Sequence, residues 1–497
     1  MSETAFHELE KSVAKQGLPD VARSAESAAF WLLIAALAWA PFPLGSNRLW
    51  SASLLCLLIC VCWGLWLASF WSKPGKILPL LRPVAGPALL LMLPVLWGFV
   101  QLAPFVPASW AHPIWGLAAD VLGHPLRGSI SLSPWRSGTA LMKLISFGMA
   151  AWLSYALTQR SERASQLLSS FIVIAAAYAA YDLAMGLMDL RQFQLFYSYQ
   201  PVGNLVASPF VDHNNFATYM GLASVCSAAR LLSLMSGAIV TSRGAARLFM
   251  SAQNLFFGKG FLTTLALVLT SSMLIASGSR AGFLATLTGW MVLLLFAWAR
   301  SKQSRWNFTA VSIGAVIAIV IFLINGQDLE TRFGDVIGVR NPDEIRLVLW
   351  SAAARMAASS PWLGLGPGTF EPAYPAYANQ VFPLIMDKAH NDYLELAADW
   401  GIMATALWCA GIAWAACICA LGSVRRKRNW AYPLAGVSAT ALVAFHSAFD
   451  FSLQIPAVAL TFSVLLGMGI AHAFSQNRLL GEADPNRISR IGNHANS

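Results

Sequence analysis

Apolar runs of about 20 residues, parted by short polar links, recur along this chain and constrain its fold more than any other feature. Twelve lie near 28–44, 50–71, 84–106, 138–158, 166–188, 214–236, 260–277, 282–299, 307–325, 394–420, 432–454 and 456–474. Each matches the ~20 residues that carry a helix across a hydrocarbon core of ~30 Å. Charged residues make up 11% and hydrophobic ones 57%, against roughly 25% charged in soluble domains. The expectation is an all-α polytopic membrane protein with about 12 transmembrane helices and one large periplasmic loop containing short helices.

Loop charge sets the expected orientation. Lys73, Lys76 and Arg82, then Arg160 and Arg163, then Arg243, Arg247 and Lys259, then Arg300, Lys302 and Arg305, then Arg425, Arg426, Lys427 and Arg428 all follow even-numbered runs. The positive-inside rule puts that side in the cytoplasm. The same rule accounts for the net charge of +10 better than a nucleic-acid partner does. The expected division is a cytoplasmic tail over 1–27, helices 1–9 over 28–325, a large periplasmic loop over 326–393, helices 10–12 over 394–474, and a cytoplasmic tail over 475–497. The polar start, through Glu26, has no basic region leading into a short apolar run, so the first span is expected to act as an uncleaved anchor. The seven cysteines all fall in apolar runs, which suits packing rather than disulfides or a metal cluster.

The long loop concentrates the polar chemistry. It carries Arg340, Arg346 and Arg355, a turn-rich stretch from Pro361 to Phe370, and Ala389-His390-Asn391-Asp392-Tyr393-Leu394. Loops beyond about 15 residues are usually functional or disordered, and the aromatic and Gly-Pro content here predicts order. A helix is expected from Arg346 until Pro361 stops it. His390 is a candidate proton acceptor, with Asn391 or Asp392 as helix cap and Tyr393 one turn further on the same face. Arg280, in the break Ser277-Gly278-Ser279-Arg280, suits an anion at a helix start, or equally an interfacial arginine reaching lipid phosphates. His213 and Asn214 open the sixth run, where Asn214 is expected to cap. His446, Asp450 and Gln454 recur every fourth residue, as a proton path or a polar seam on one helical face. No P-loop, dinucleotide fingerprint, nucleophile elbow or acidic metal pair is present.

At these residues the chain resembles the O-antigen ligase and polymerase superfamily of bacterial inner-membrane glycosyltransferases. Four segments carry the resemblance: Leu44 to Trp50, which includes Arg48; Ser277 to Gly282; Gly364 to Phe370 followed by Ala389 to Leu396 and Trp400-Gly401; and Phe445 to Pro456. The resemblance implies transfer of a glycan from an undecaprenyl-diphosphate-linked oligosaccharide donor to an acceptor hydroxyl, on the periplasmic face and with inversion, without metal, nucleotide or other cofactor. Carried over, Arg280 and Arg346 hold the diphosphate and His390 serves the acceptor. Arg48, His213, Asn214, Arg340, Arg355, Asn391, Tyr393, His446 and Asp450 are the expected substrate-binding residues. The acceptor is a glycan, lipid A-core or a protein hydroxyl, and membrane lipids surround the site. The 107–137 segment and His213-Asn214-Asn215-Phe216 resemble the polymerase branch more than the ligase. The rival class is a lipid-linked glycan flippase, which should carry ionisable groups through many helices.

Overall fold

The computed structural model describes residues 22–70, 77–188, 193–194, 197–198, 209–210, 212–238, 258, 260–300, 342–379 and 385–474. Helix α1 covers 22–39, α2 Leu49–Ser69, α3 Ala85–Leu102, the short α4 Ile114–Leu122, α5 Pro134–Leu157 and α6 Ser161–Leu187. Then come α7 His213–Ala238, α8 Phe261–Ala276, α9 Arg280–Arg300, α10 Pro342–Ser359, α11 Phe370–Tyr377 and α12 Asp392–Trp400. The chain closes on α13 Ile402–Arg425, α14 Ala431–His446 and α15 Pro456–Ala473. Among the described residues the one sheet is a hairpin of Phe193–Gln194 with Tyr197–Ser198.

Eight of the described helices are long and apolar enough to cross a membrane, and α8 and α14 are shorter apolar helices. The chain is a multi-pass helical membrane protein. The run expected at 307–325 and the loop start at 326 lie outside the described residues. Burial ranks the helices. In its most apolar window α15 is 83% buried and α7 72%, whereas α3 and α13 are 22% buried. The bundle is therefore centred on α7 and α15, with α3 and α13 turned toward lipid.

Contacts define two ends of the bundle. At one end Arg300 donates to the backbone carbonyls of Ser423, Arg426 and Lys427 and stacks over Trp430, 4.8 Å from the ring centroid. His472 reaches the Thr158 carbonyl at 2.8 Å beside it. The other end gathers the start of α7, the turn between α8 and α9, the short helices α10 to α12, and the segment after α14. The short helices have their own core of Leu349, Met356, Phe370, Tyr374 and Ala398, so this part of the long loop is a packed unit.

Three boundaries differ from the sequence expectation. The run expected at 394–420 is two helices, because Gly401 at φ 81 stops α12 and lets α13 start afresh. The run expected at 432–454 ends at His446; Asp450 then lies in a turn, and Gln454 in a separate one-turn 3-10 helix, Ser452–Gln454. His446, Asp450 and Gln454 therefore do not share a helical face. The cap of α7 is Asp212, whose Oδ1 accepts the Asn214 N–H at 2.8 Å, and not Asn214.

The glycine-rich turn locks the loop unit onto the bundle. Leu365 N–H donates to the Ala398 carbonyl at 3.0 Å and Gly366 N–H to the Asp399 carbonyl at 2.9 Å. Gly368 N–H donates to Asp399 Oδ2 at 2.6 Å. From α3, Gln101 Nε2 donates to the carbonyls of Leu363 and Asp399 at 2.6 and 2.9 Å. Gly364 has φ 69, and a Cβ there would collide with the Asp399 carbonyl and lie 2.7 Å from the Gly401 nitrogen. Gly364→Ala combines left-handed strain with that clash, which predicts a local cost of about 1–3 kcal/mol. Limited proteolysis should then cut between Pro361 and Thr369 faster than in wild type; unchanged resistance would show that the turn tolerates a side chain.

Candidate active site

The site is built where α12 and the segment after α14 meet. Asn391 caps α12, its Oδ1 accepting the Leu394 N–H at 3.0 Å. Its Nδ2 donates to the Ala448 carbonyl at 3.0 Å, and Asp392 N–H donates to the Ser447 carbonyl at 2.8 Å. Trp350 Nε1 in α10 donates to the His390 carbonyl at 3.1 Å. These contacts hold His390 in a left-handed conformation, φ 52, uncommon for a residue with a side chain. His390 therefore precedes the cap and does not share a helical face with Tyr393. Tyr393 is committed elsewhere, donating its hydroxyl to the Ala444 carbonyl at 2.8 Å.

The fold presses the His390 ring against Asp450. Its Nδ1 lies 3.3 Å from Asp450 Oδ1, with Asp450 fully buried and the His390 side chain 29% exposed. The separation is that of an ion pair when the ring is protonated. Phe451 packs edge-on against the imidazole at 4.8 Å, and its N–H donates to Asp450 Oδ1 at 2.8 Å. Burial opposes charge on the ring, yet Asp450, and Asp212 beyond it, raise its pKa above the ordinary 6.5; Arg346 acts in the opposite sense. Burial likewise disfavours the Asp450 carboxylate, but His390, His446 and Arg346 hold it well below the usual carboxylate range. Arg346 is thus close enough to act on both members of the pair.

Beside this pair, further polar contacts run toward the start of α9. Ser452 Oγ donates to Asn215 Oδ1 at 2.7 Å and lies 3.1 Å from His446 Nδ1. With the Ser452 proton on Asn215, His446 carries its own proton on Nδ1. His446 Nε2 and Asp450 Oδ2 are then buried acceptors with no hydrogen bond among the described residues. In the next turn, Ser279 Oγ donates to Asn214 Oδ1 at 2.6 Å and accepts the Gly282 N–H at 3.0 Å. Ser279 caps α9, and Arg280 is the first residue of that helix. His213 pairs with Asp212, Nδ1 to Oδ1, at 3.3 Å. Burial, then Asp450, raises the Asp212 carboxyl pKa above its ordinary value.

Of the residues expected from sequence, the structure gathers His390, Asp450, His446, Asn391 and Arg346; Asn214 accepts from Ser279, the residue before Arg280, and His213 pairs with Asp212. Arg355 serves the fold instead. Its guanidinium donates to the Tyr377 carbonyl at 2.6 and 3.0 Å and to Ser351. Arg48 is exposed before α2. Arg340 lies outside the described residues. Sequence reasoning offered Asp392 only as an alternative cap and gave Asn215 and Ser452 no part in the site. Asp392 is buried, accepts from Ser447 Oγ at 2.7 Å and from Gln454 Nε2 at 3.0 Å, and has its pKa pushed up by burial to about 7. The signal available was the density of Ser447, Asp450, Ser452 and Gln454 within eight residues, which suits a turn better than a spanning helix. Among the described residues no three His, Cys, Asp or Glu converge on a metal position.

The comparisons with known proteins bear on part of this site. Residues 265–409 match a family model described as O-antigen ligase. That segment takes in the α8–α9 turn, Arg346 and His390, and leaves out Asp212 and Asp450. No curated protein matches the chain.

Proposed function

We propose, from the match of residues 265–409 to an O-antigen ligase family model, that the protein is an inverting glycosyltransferase. Its donor is an undecaprenyl-diphosphate-linked oligosaccharide and its acceptor a saccharide hydroxyl, on the periplasmic face of the bacterial inner membrane. The observation that carries the reading is the partly exposed His390 ring set 3.3 Å from a fully buried Asp450. A buried carboxylate behind an imidazole fixes the ring and strengthens it as a base, leaving Nε2 for the substrate.

In the reaction the acceptor oxygen bonds to the anomeric carbon and its proton passes to His390 Nε2. The bond from the anomeric carbon to the diphosphate oxygen breaks, and its electron pair leaves on the diphosphate. Arg280 and Arg346 stabilise the charge that grows there. His446 Nε2 and Asp450 Oδ2, as unpartnered buried acceptors, suit sugar hydroxyl donors. Donating a growing chain to a new repeat unit is polymerisation; donating it to lipid A-core is ligation.

The test is a transfer assay with purified protein in detergent, given undecaprenyl-diphosphate-linked repeat units, alone and then with lipid A-core. A ladder from repeat units alone identifies a polymerase. A single product that requires lipid A-core identifies a ligase. No product in either case, with lipid movement between leaflets in vesicles, overturns transfer in favour of a flippase.

A further inference from the structure

The same end of the bundle holds a cavity on the side of the 388–390 segment that Lys388 serves. It measures about 290 Å³ and is lined by Leu49, Trp135, Arg136, Lys143, Gly368 and Lys388, among others. Three of its lining residues are cations and none is acidic. Arg136 and Lys143 are seven residues apart in α5, two turns along one helical face. Arg136 is held by Glu371 through contacts of 2.6 and 2.9 Å, and Lys388 lies 3.6 Å from Glu395. Lys143 has no acidic side chain within ion-pair distance among the described residues. It is close enough to Lys388 for the two to repel each other, with Glu395, already held by Lys388, as the acidic group that acts on it from further off.

A lysine inside a spanning helix that only reached for the interface would extend along lipid. Lys143 instead borders a cavity and approaches a second cation, an arrangement that an anion between them stabilises. Ionisable groups at membrane depth are functional by default. The volume sits at the lower end of the ~300–1,000 Å³ usual for ligand pockets, enough for one charged group with its carrier ring. Leu49 and Trp135 supply an apolar wall for that ring. Lys388 is two residues from His390, at most about 7 Å along the chain, and Glu395 Oε2 accepts the intervening Ala389 N–H at 2.8 Å.

We propose that this cavity is an anion subsite that holds a phosphate or carboxylate of the acceptor glycan, separate from the arginines assigned to the donor diphosphate. The word acceptor rests on the transfer reading; the anion site itself does not. Acidic acceptors are then preferred over neutral ones, because their charge seats beside Lys143 while a hydroxyl on the same sugar faces His390.

The test is binding, which needs no turnover. The full chain in phosphatidylcholine nanodiscs is titrated with an alkyl glucoside 6-phosphate and with the unphosphorylated alkyl glucoside. The phosphorylated compound is expected to bind at least tenfold more tightly. Lys143→Gln should abolish the difference and Lys143→Arg should restore it. Equal binding of the two compounds, or full preference in Lys143→Gln, overturns the site. Displacement by inorganic phosphate at matching concentration, or by phosphatidylglycerol in the nanodisc, overturns the acceptor assignment in favour of free phosphate or a lipid head group. A site confirmed by titration in a protein without transfer activity would sink the transfer reading alone.

Discussion

His390→Ala is expected to lower glycan transfer by about 10²–10⁴-fold, the span that a positioned acid–base group supplies, with donor binding retained. The pH profile separates chemistry from packing. The working form of His390 is the neutral ring, so activity falls as pH drops through its pKa. Asp450 holds that pKa above the ordinary 6.5, and wild type should therefore lose activity on the acid side at a midpoint above 6.5. Asp450→Asn removes the charge that favours the imidazolium and leaves the burial that opposes it. The acid limb should then move to lower pH while the maximal rate falls, because the ring loses its fixed partner. A wild-type profile with no group titrating above 6.5, or an Asp450→Asn enzyme whose limb has not moved, would falsify the pair as the catalytic base.

Arg346→Ala is expected to cost about 10²–10³ in transfer rate, the loss that follows removal of one preorganised charge stabiliser. It carries a second signature. Arg346 lowers the His390 pKa, so its removal should raise the acid limb, opposite in sense to Asp450→Asn. An arginine that served only the fold of α10 would reduce the yield of folded protein without moving the limb. Arg346→Lys should recover the limb position but not the full rate, since an ammonium lacks the bidentate geometry of guanidinium toward a diphosphate. Arg280→Ala should lower the rate by a similar factor. Equal rates for wild type and either alanine variant, measured with saturating donor, would remove that arginine from the leaving-group role.

The helical membrane class was legible because a bilayer asks little of sequence: enough apolar residues in a row, at 1.5 Å per residue, to cross the hydrocarbon core. The polar ends of the spans were legible for the same reason, and His390, Arg280 and Arg346 stood out as charge or imidazole at those ends. The helix that Pro361 was expected to stop is there, as Pro342–Ser359. Hydropathy misled where an apolar stretch contained a break. Gly401 divides one run, and the 447–454 segment, with Ala448, Phe449, Phe451 and Leu453 among its polar residues, reads as helix to a window average. Its backbone instead leaves the helix after His446 and supplies carbonyls to Asn391 and Asp392.

The chain's own order of residues thus determined that it crosses the membrane repeatedly, which loops are polar, and which side chains have the chemistry for an anion and a proton. It did not determine which of them meet. His390 and Asp450 are 60 positions apart, and Ser279 and Asn214 are 65 apart. A sequence records neighbours along the chain, while a buried imidazole–carboxylate pair depends on how separate helices end and pack. Tertiary structure alone decided that Asp450 faces His390, that Arg355 is tied to the Tyr377 carbonyl, and that Lys143 shares a cavity with Lys388. The physical reason lies in burial: Asp450 is fully buried and His390, Arg355 and Lys143 are partly withdrawn from water, where a partner a few ångströms away outweighs the local preferences of the segment that carries each group.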